Sequence, residues 1–233
     1  MKTKIIATIG PASLDKIPEL CKAGMKIARI NTKYGDVKQY TKVIQDLRKC
    51  KCKIMIDMKG NGLLGWIKEQ DFDFLAVSFA ESAKQIKQIR KELPKKIKII
   101  SKIETRKGFN NLNELITECD GIMVARGDLG RHVPFHELPI FQKLIIRRCN
   151  RRNKFVITAT EMLLSMVNSK IPERAEVSDV ANAILDGSNA VMLSEESAIG
   201  KYPVLTVQTM AKVINSTEKN MKKLSVCMYD YFK

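Results

Sequence analysis

The residues most able to do chemistry lie between Lys98 and Gly130, at the ends of two apolar segments. The first segment, Lys-Ile-Ile-Ser-Lys-Ile-Glu, ends in Lys102 and Glu104, and the second is followed by Arg-Gly-Asp-Leu-Gly, which contains Asp128. Runs of β-branched apolar residues that stop abruptly at charged residues are typical of buried strands that reach a functional rim. We therefore predict a functional site where these two strands end.

The charges in these segments predict a site for a metal ion and a phosphate group. Because side chains alternate along a strand, Lys102 and Glu104 point to the same face. Asp128 lies in a loop with Gly127 and Gly130, where the backbone can approach a ligand closely. Carboxylates suit a hard divalent cation and an ammonium suits phosphate, so Glu104 and Asp128 are candidate metal ligands beside Lys102.

Apolar segments of strand length alternate with amphipathic segments along the whole chain. We predict strands at 4–8, 26–31, 53–57, 74–78, 98–103, 121–125, 155–159 and 190–193. We predict helices at 14–23, 36–49, 63–69, 82–93, 112–118, 138–152, 177–186 and 204 to about 222. Strands that are each followed by a helix close most simply into a parallel barrel, so we expect one α/β domain over residues 1–233, a (β/α)8 TIM barrel.

Catalytic groups of such a barrel lie at the C-terminal ends of its strands, and polar residues occur at many of these ends. Further candidates are Arg29, Asn31, Lys33, Asp57, Thr160, Ser194 and Glu196. Each also has a structural interpretation, since threonine is common in strands and polar side chains often cap turns. Arg126 is expected either to tie down its loop or to contact substrate, and His132 and His136 are expected to be packing or surface residues.

The composition is that of an ordinary globular protein, with 45% hydrophobic residues. No apolar run approaches the roughly 18 residues of a membrane span. The segment after Met1 lacks the organisation of a signal peptide, so we expect a cytoplasmic protein without membrane contact. The six cysteines are scattered without a Cys-x-x-Cys pair, which favours reduced, structural thiols.

The net charge of +16 would attract phosphorylated small molecules or nucleic acid. The lysines, however, are spread over nearly every predicted helix, and aromatic residues make up only 6% of the chain. We therefore expect most lysines to form a solvated surface, and we do not expect nucleic-acid binding.

Three segments resemble the catalytic barrel of the pyruvate kinase family. They are Lys-Ile-Glu at 102–104, Asp-Gly-Ile-Met-Val-Ala-Arg-Gly-Asp-Leu-Gly at 120–130, and Arg-Ala-Glu-Val-Ser-Asp-Val-Ala-Asn-Ala at 174–183. The resemblance implies transfer of a phosphoryl group between phosphoenolpyruvate and ADP, giving pyruvate and ATP in glycolysis. It also implies dependence on Mg²⁺, with Mn²⁺ as a substitute, and it makes a homodimer through barrel helices plausible.

The resemblance implies a role for each matching residue. Lys102 matches the lysine that stabilises the transferring phosphoryl group, Arg29 matches the arginine that meets phosphate, and Thr160 completes the catalytic set. Glu104 and Asp128 match the magnesium ligands. The candidate substrate contacts are Arg29, Gly127, Asp128, Thr160 and Ser194.

Half of the family's potassium site is altered in this chain. Asn31 and Asp57 match potassium ligands, but Lys33 replaces the usual serine and Met58 replaces the usual threonine. We expect the ammonium of Lys33 to occupy the place of the monovalent cation, so that activity does not require potassium.

The family inserts a lid domain after the third strand, whereas here Asp57 to Gly62 runs straight into the third predicted helix. We also expect the family's C-terminal regulatory domain to be absent. Loss of the lid leaves two alternatives to kinase activity. One is a metal-dependent 2-oxo-acid lyase or decarboxylase that acts through a pyruvate enolate, and the other is a barrel that binds phosphoenolpyruvate or pyruvate without catalysis.

Overall fold

The strands of this protein close into a barrel. The computed structural model describes residues 2–60 and 62–230, with side chains through residue 221 and at 223, and these residues form eight parallel strands in the cyclic order β1 to β8. The strands are β1 (Lys4–Thr8), β2 (Met25–Asn31), β3 (Lys53–Met58), β4 (Phe74–Val77), β5 (Lys98–Ile103), β6 (Gly121–Ala125), β7 (Phe155–Ala159) and β8 (Ala190–Leu193). The predicted (β/α)8 barrel is therefore confirmed, and each predicted strand end lies within one residue of the observed end.

Helices lie between the strands along the chain. They are α1 (Ile17–Ala23), α2 (Val37–Arg48), α3 (Leu64–Ile67), α4 (Ala83–Glu92), α5 (Arg106–Asn110), α6 (Leu112–Glu118), α7 (Arg126–Leu129), α8 (Leu138–Arg151), α9 (Arg174–Leu185), α10 (Glu195–Ala198) and α11 (Pro203–Asp230), with 3-10 turns at Phe135–Glu137 and Leu164–Val167. α9 begins earlier than the predicted residue 177 because Glu173 and Glu176 form a capping box at its start. α1 begins later than the predicted residue 14 because Ser13 closes a turn onto Gly10.

The short helices α5, α7 and α10 were not predicted from the sequence. Each has only four or five residues, too few for an amphipathic period to stand out. α5 is capped by Thr105, whose hydroxyl accepts a hydrogen bond from the amide of Gly108 at 3.0 Å. α7 and α10 directly follow β6 and β8, so they extend the C-terminal end of the barrel.

Two hydrophobic clusters stabilise the barrel. One fills its interior, and the other packs the outer faces of the strands against the helices. The interior cluster consists of Ile6, Ile27, Met55, Phe74, Ala76, Ile100, Met123, Ile157, Ala159, Ala190 and Met192. Because side chains alternate, strand residues two positions away from these also face inward, and at the two mouths of the barrel they can be polar.

The cysteines whose side chains are described, Cys21, Cys50, Cys52, Cys119 and Cys149, are all free, as expected, and Cys227 lies outside the described side chains. Within residues 2–60 and 62–230, no helix is long and apolar enough to cross a membrane.

Candidate active site

A cluster of buried ions around Asp57 forms the centre of the site. Asp57 is near the end of β3 and is only 1% exposed. Its Oδ2 accepts a hydrogen bond from Nε of Arg29 at 2.8 Å, and its Oδ1 lies 3.0 Å from Nζ of Lys102. Arg29 also donates to the hydroxyl of Thr8 at 2.9 Å. Side chains from β1, β2, β3 and β5 therefore meet inside the C-terminal mouth of the barrel.

Lys102 is held by three oxygen atoms. Its Nζ lies 3.0 Å from Oδ1 of Asp57, 3.0 Å from the hydroxyl of Ser78 and 3.0 Å from Oε1 of Glu104. The other carboxylate oxygen of Glu104 accepts a hydrogen bond from the amide of Phe79 at 2.6 Å. Phe79 adopts a φ of 50°, so the turn after β4 aims its backbone amide at Glu104. Lys102 and Glu104 are thus fixed side by side, as alternation along β5 predicts.

Burial and neighbouring charges shift the pKa values of this cluster. Burial raises the pKa of Asp57, but the charges of Arg29 and Lys102 outweigh burial and hold that pKa below its ordinary value. Burial lowers the pKa of Lys102, yet Asp57 and Glu104 more than compensate and raise it. For Glu104, burial prevails over the charge of Lys102 and raises the pKa. At neutral pH Asp57 and Lys102 are therefore charged, and Glu104 is the more easily protonated of the two carboxyl groups.

Asp128 supplies the second carboxylate of the candidate metal site. It lies in α7, directly after β6, and β6 pairs with β5, which ends one residue before Glu104. Its side chain is 44% exposed, with Oδ1 at 3.6 Å from Arg131, and its carbonyl oxygen lies 2.9 Å from Nδ1 of His132. Among the described residues no group of three or more His, Cys, Asp or Glu side chains could hold a metal ion. Two carboxylates with substrate and water oxygens are a usual arrangement for magnesium, so the donor set fits that ion.

The loop after β7 holds Thr160 in a strained backbone conformation. Thr160 has a φ of 71° and Glu161 a φ of 52°, in the left-handed region that a β-branched residue rarely adopts. Arg126 supports this turn, because its Nη2 donates to the carbonyl groups of Thr160 at 2.6 Å and Glu161 at 3.1 Å. Its Nη1 forms an ion pair with Asp179 at 2.6 Å. Of the two roles considered for Arg126, the structure therefore supports the one that ties loops together.

Gly127 leaves open space beside Thr160. Its amide donates a hydrogen bond to the Thr160 hydroxyl at 2.8 Å. The three heavy atoms nearest to a methyl group added at Gly127 would all belong to Thr160, at 3.6 Å or more, which is ordinary van der Waals contact. Close packing therefore does not require glycine here. The missing side chain leaves the backbone of α7 open next to Thr160.

Ser194 and Glu196 differ in role. Glu196 is fully buried and accepts hydrogen bonds from the amides of Met162 and Leu163 at 3.2 Å each, so it joins the loops after β7 and β8. The hydroxyl of Ser194 is buried and has no hydrogen-bond partner among the described residues. A buried hydroxyl without a partner is costly unless a ligand completes it, which supports Ser194 as a substrate contact.

The structure places the ammonium of Lys33 beside Tyr34 and shows no ion pair between it and Asp57 among the described residues. The side chain is exposed, and its ammonium lies 5.3 Å from the centre of the Tyr34 ring. Asn31 accepts a hydrogen bond from the backbone amide of Lys33 at 3.1 Å, but among the described residues no ion pair joins Lys33 to Asp57. Arg29 and Lys102 balance the charge of Asp57 instead. Independence from potassium remains a prediction, with these two side chains rather than Lys33 as its physical basis.

Two residues of the site, Thr8 and Ser78, were noted in the sequence only as polar residues at strand ends, and a third, Phe79, was not noted at all. Thr8 and Ser78 follow the interior residues Ile6 and Ala76 by two positions, so strand alternation directs them into the barrel mouth. Phe79 contributes a backbone amide, and no side-chain pattern predicts such a donor.

Comparisons with known proteins identify the family to which this chain is similar. A family model described as pyruvate kinase, barrel domain, matches residues 1–64 and 56–207. A pyruvate kinase of Thermoplasma acidophilum is 33% identical over 335 positions that cover 100% of this chain and 61% of the relative. A pyruvate kinase of Thermococcus litoralis is 49% identical over 159 residues, 67% of this chain and 34% of the relative.

The alignments also locate sequence that this chain lacks. The chain has 233 residues, so many of the 335 aligned positions of the Thermoplasma relative have no counterpart here. The two matched parts of the family model meet at residues 56–64, where only residues 59–63 separate β3 from α3. The chain spans less than two thirds of the length of these relatives. Fold, site geometry and sequence together show that this chain belongs to the pyruvate kinase family, whose barrel domain it matches.

Proposed function

We propose that this barrel transfers a phosphoryl group between phosphoenolpyruvate and ADP, giving pyruvate and ATP, with Mg²⁺ as cofactor and Mn²⁺ as a substitute. The observation that carries the proposal is the position of Lys102, a buried ammonium beside Glu104 and within one ion cluster with Arg29. Phosphoryl transfer needs little covalent chemistry from the protein, but it needs fixed positive charge on the phosphoryl oxygens. Lys102 and Arg29 supply that charge in a water-poor mouth.

Different residues would contact different parts of the proposed substrate. Lys102 and Arg29 contact the phosphoryl oxygens, and the open backbone at Gly127 with the Thr160 hydroxyl receives the pyruvate end. The unpaired hydroxyl of Ser194 adds a further substrate contact. Glu104 and Asp128 would hold the magnesium ion, which supplies Lewis acidity to the reacting oxygens.

The reaction that follows from this arrangement is a single transfer. The bond between phosphorus and the enol oxygen of phosphoenolpyruvate breaks as the terminal phosphate oxygen of ADP bonds to the same phosphorus. The resulting enolate takes a proton at its terminal carbon and becomes pyruvate. We assign Thr160 to this end of the site, because its hydroxyl is held in place by the amide of Gly127.

A second candidate function is a metal-dependent lyase or decarboxylase of 2-oxo acids. The short connection between β3 and α3 favours it, because the family's lid would close over the nucleotide end of the site. A metal-stabilised enolate serves both reactions, but only phosphoryl transfer needs a nucleotide. The third candidate function is a barrel that binds phosphoenolpyruvate without catalysis, and it would use the same substrate contacts. For either enzyme we propose a cytosolic location and pairing through barrel helices.

Pyruvate formation tests the proposal. The chain is incubated with phosphoenolpyruvate, ADP and Mg²⁺, and ATP and pyruvate are both measured. We expect the two products to appear in equal amounts, and to disappear when ADP is omitted or the metal is chelated. Consumption of oxaloacetate without nucleotide would instead support the lyase. Magnesium-dependent binding of phosphoenolpyruvate without any turnover would support the non-catalytic barrel.

Potassium should not raise the rate of this reaction. The carboxylate of Asp57 already contacts two cationic side chains, Arg29 and Lys102, so a monovalent cation has no uncompensated charge to bind there. We expect turnover to change less than twofold when potassium chloride replaces tetramethylammonium chloride at constant ionic strength. A several-fold rise with potassium would contradict this assignment.

A further inference from the structure

Three lysines face inward at the N-terminal mouth of the barrel, opposite the candidate active site. Lys4, Lys53 and Lys98 are the first residues of β1, β3 and β5. Each precedes an interior residue of the barrel by two positions, so alternation turns all three side chains toward the barrel axis. All three are exposed to solvent. The mouth is therefore lined by ammonium groups from three different strands.

Two phenylalanines form a floor beneath these lysines. Phe74 and Phe155 stack with their ring centres 6.2 Å apart, from β4 and β7. The ammonium of Lys4 lies 5.3 Å from the centre of the Phe155 ring, and that of Lys53 lies 5.6 Å from the centre of the Phe74 ring. Lys98 pairs in register with Phe74. The two stacked rings thus span the mouth, and the ammonium groups of Lys4 and Lys53 each lie over one of them.

The positive charge of this mouth is not balanced. Among the described residues, no carboxylate lies within ion-pair distance of Lys4, Lys53 or Lys98. The acidic residues beside the strand starts make other contacts: Asp73 lies 3.8 Å from Arg48, Asp120 pairs with Arg90, and Glu218 accepts hydrogen bonds from the amides of Lys2 and Thr3. Like charges that converge without a counterion repel one another, and a multivalent anion would relieve that repulsion.

Phe155 also lines a cavity. The cavity has a volume of about 310 Å³, and its other lining residues are Asn150, Asn153, Lys154 and Asn189. Three of the five lining residues are therefore asparagines. The ammonium of Lys154 donates to the carbonyl of Cys119 at 2.8 Å, which leaves amide groups as the polar surface of this space.

We propose that the N-terminal mouth binds a chain of two or more phosphate groups, with Lys4, Lys53 and Lys98 as its contacts. Separate ammonium groups on three strands match several linked phosphates better than a single one. Both aromatic faces already carry an ammonium group, so they do not stack on a base. Inorganic polyphosphate and the phosphate tail of a nucleotide share this chemistry, and in the second case the nucleoside would occupy the asparagine-lined cavity. The inference does not depend on the proposed kinase activity.

Calorimetric titration with inorganic tripolyphosphate, without magnesium and at about 0.15 M salt to screen diffuse attraction, tests the site. We expect the variant Lys4→Gln/Lys53→Gln/Lys98→Gln to bind at least tenfold more weakly than the parent. A matched variant, Lys42→Gln/Lys84→Gln/Lys201→Gln, removes three exposed lysines from elsewhere on the surface and should change affinity less than twofold. Circular dichroism verifies folding of both, and Lys98→Gln alone, which disturbs no ring contact, should still weaken binding several-fold.

Other results of these titrations would overturn the proposal or identify the ligand. Absence of binding to the parent, or equal loss in both triple variants, would overturn the proposal. Binding that survives the mouth variant but disappears in Lys102→Met would place the anion in the candidate active site instead, and would also overturn it. ATP and tripolyphosphate that bind equally would indicate recognition of the phosphate chain alone. If ATP binds more tightly than tripolyphosphate, and if Asn153→Ala weakens the binding of ATP, the ligand is a nucleotide.

Discussion

Replacement of Lys102 by methionine is expected to abolish pyruvate formation, with a loss of about 10³-fold or more in turnover. Methionine keeps most of the length of the side chain but removes the ammonium that lies 3.0 Å from Glu104 and 3.0 Å from Asp57. The phosphoryl oxygens would then lose the buried positive charge closest to the candidate metal ligand. The measurement is the steady-state rate of pyruvate and ATP formation by parent and variant at saturating magnesium.

Folding has to be separated from catalysis in this experiment. The change leaves two buried carboxylates with one fewer partner, and removal of one member of a buried pair costs about 3–5 kcal/mol. Urea unfolding therefore accompanies the assay, and Lys84→Met, on the exposed face of α4, serves as the control that changes neither property. A folded Lys102→Met variant that retains the parent rate would exclude Lys102 from the proposed mechanism.

The sequence was sufficient to predict the barrel and the charged residues that meet at its C-terminal mouth. The strands of a parallel barrel are apolar and short, and the change to charge at Lys102, Glu104 and Asp57 marks where each strand leaves the core. Alternation then decides which of these side chains share the interior, and the structure brings Arg29, Asp57 and Lys102 together from three strands. These features follow from the length of the apolar segments and from the alternation of side chains along a strand, both of which can be seen in the sequence.

Other features depended on contacts that the sequence does not encode locally. The role of Arg126 is decided by carbonyl groups of Thr160 and Glu161, which lie more than 30 positions away and point toward it only because their φ angles are positive. The side chain of Lys33 also makes a contact that strand alternation does not predict, since its ammonium lies 5.3 Å from the centre of the neighbouring Tyr34 ring.

The charged cluster also explains how the mouth of the barrel can persist without a lid. Arg29, Asp57, Lys102 and Glu104 compensate one another within the barrel, so the site does not need a covering domain to balance its charges. The same compensation has a consequence for binding. In the proposed reaction, phosphate would have to compete with Asp57 and Glu104 for Lys102, so that substrate affinity and the stability of the cluster would be opposed at this residue.

The variant Asp57→Asn should test directly how much the charged cluster stabilises the fold. Asparagine is nearly isosteric but uncharged, so Arg29 and Lys102 would remain buried beside a neutral amide, and we expect the free energy of unfolding at pH 7 to fall by about 3–5 kcal/mol. The exposed Asp15, which contacts Lys16 at 3.5 Å, provides the control, because Asp15→Asn should change stability very little.

The pH dependence of this loss has a definite sign. The folded state holds the pKa of Asp57 below its ordinary value of 3.8, where the unfolded chain titrates. The stabilisation by the ionised carboxylate is therefore complete above that value and disappears as the pH falls through the lower pKa of the folded state. The difference in unfolding free energy between the parent and Asp57→Asn should be larger at pH 7 than at pH 3 and should shrink below about pH 4, as measured by urea unfolding at each pH. A difference that grew on acidification would mean that Arg29 and Lys102 do not stabilise the charged form of Asp57.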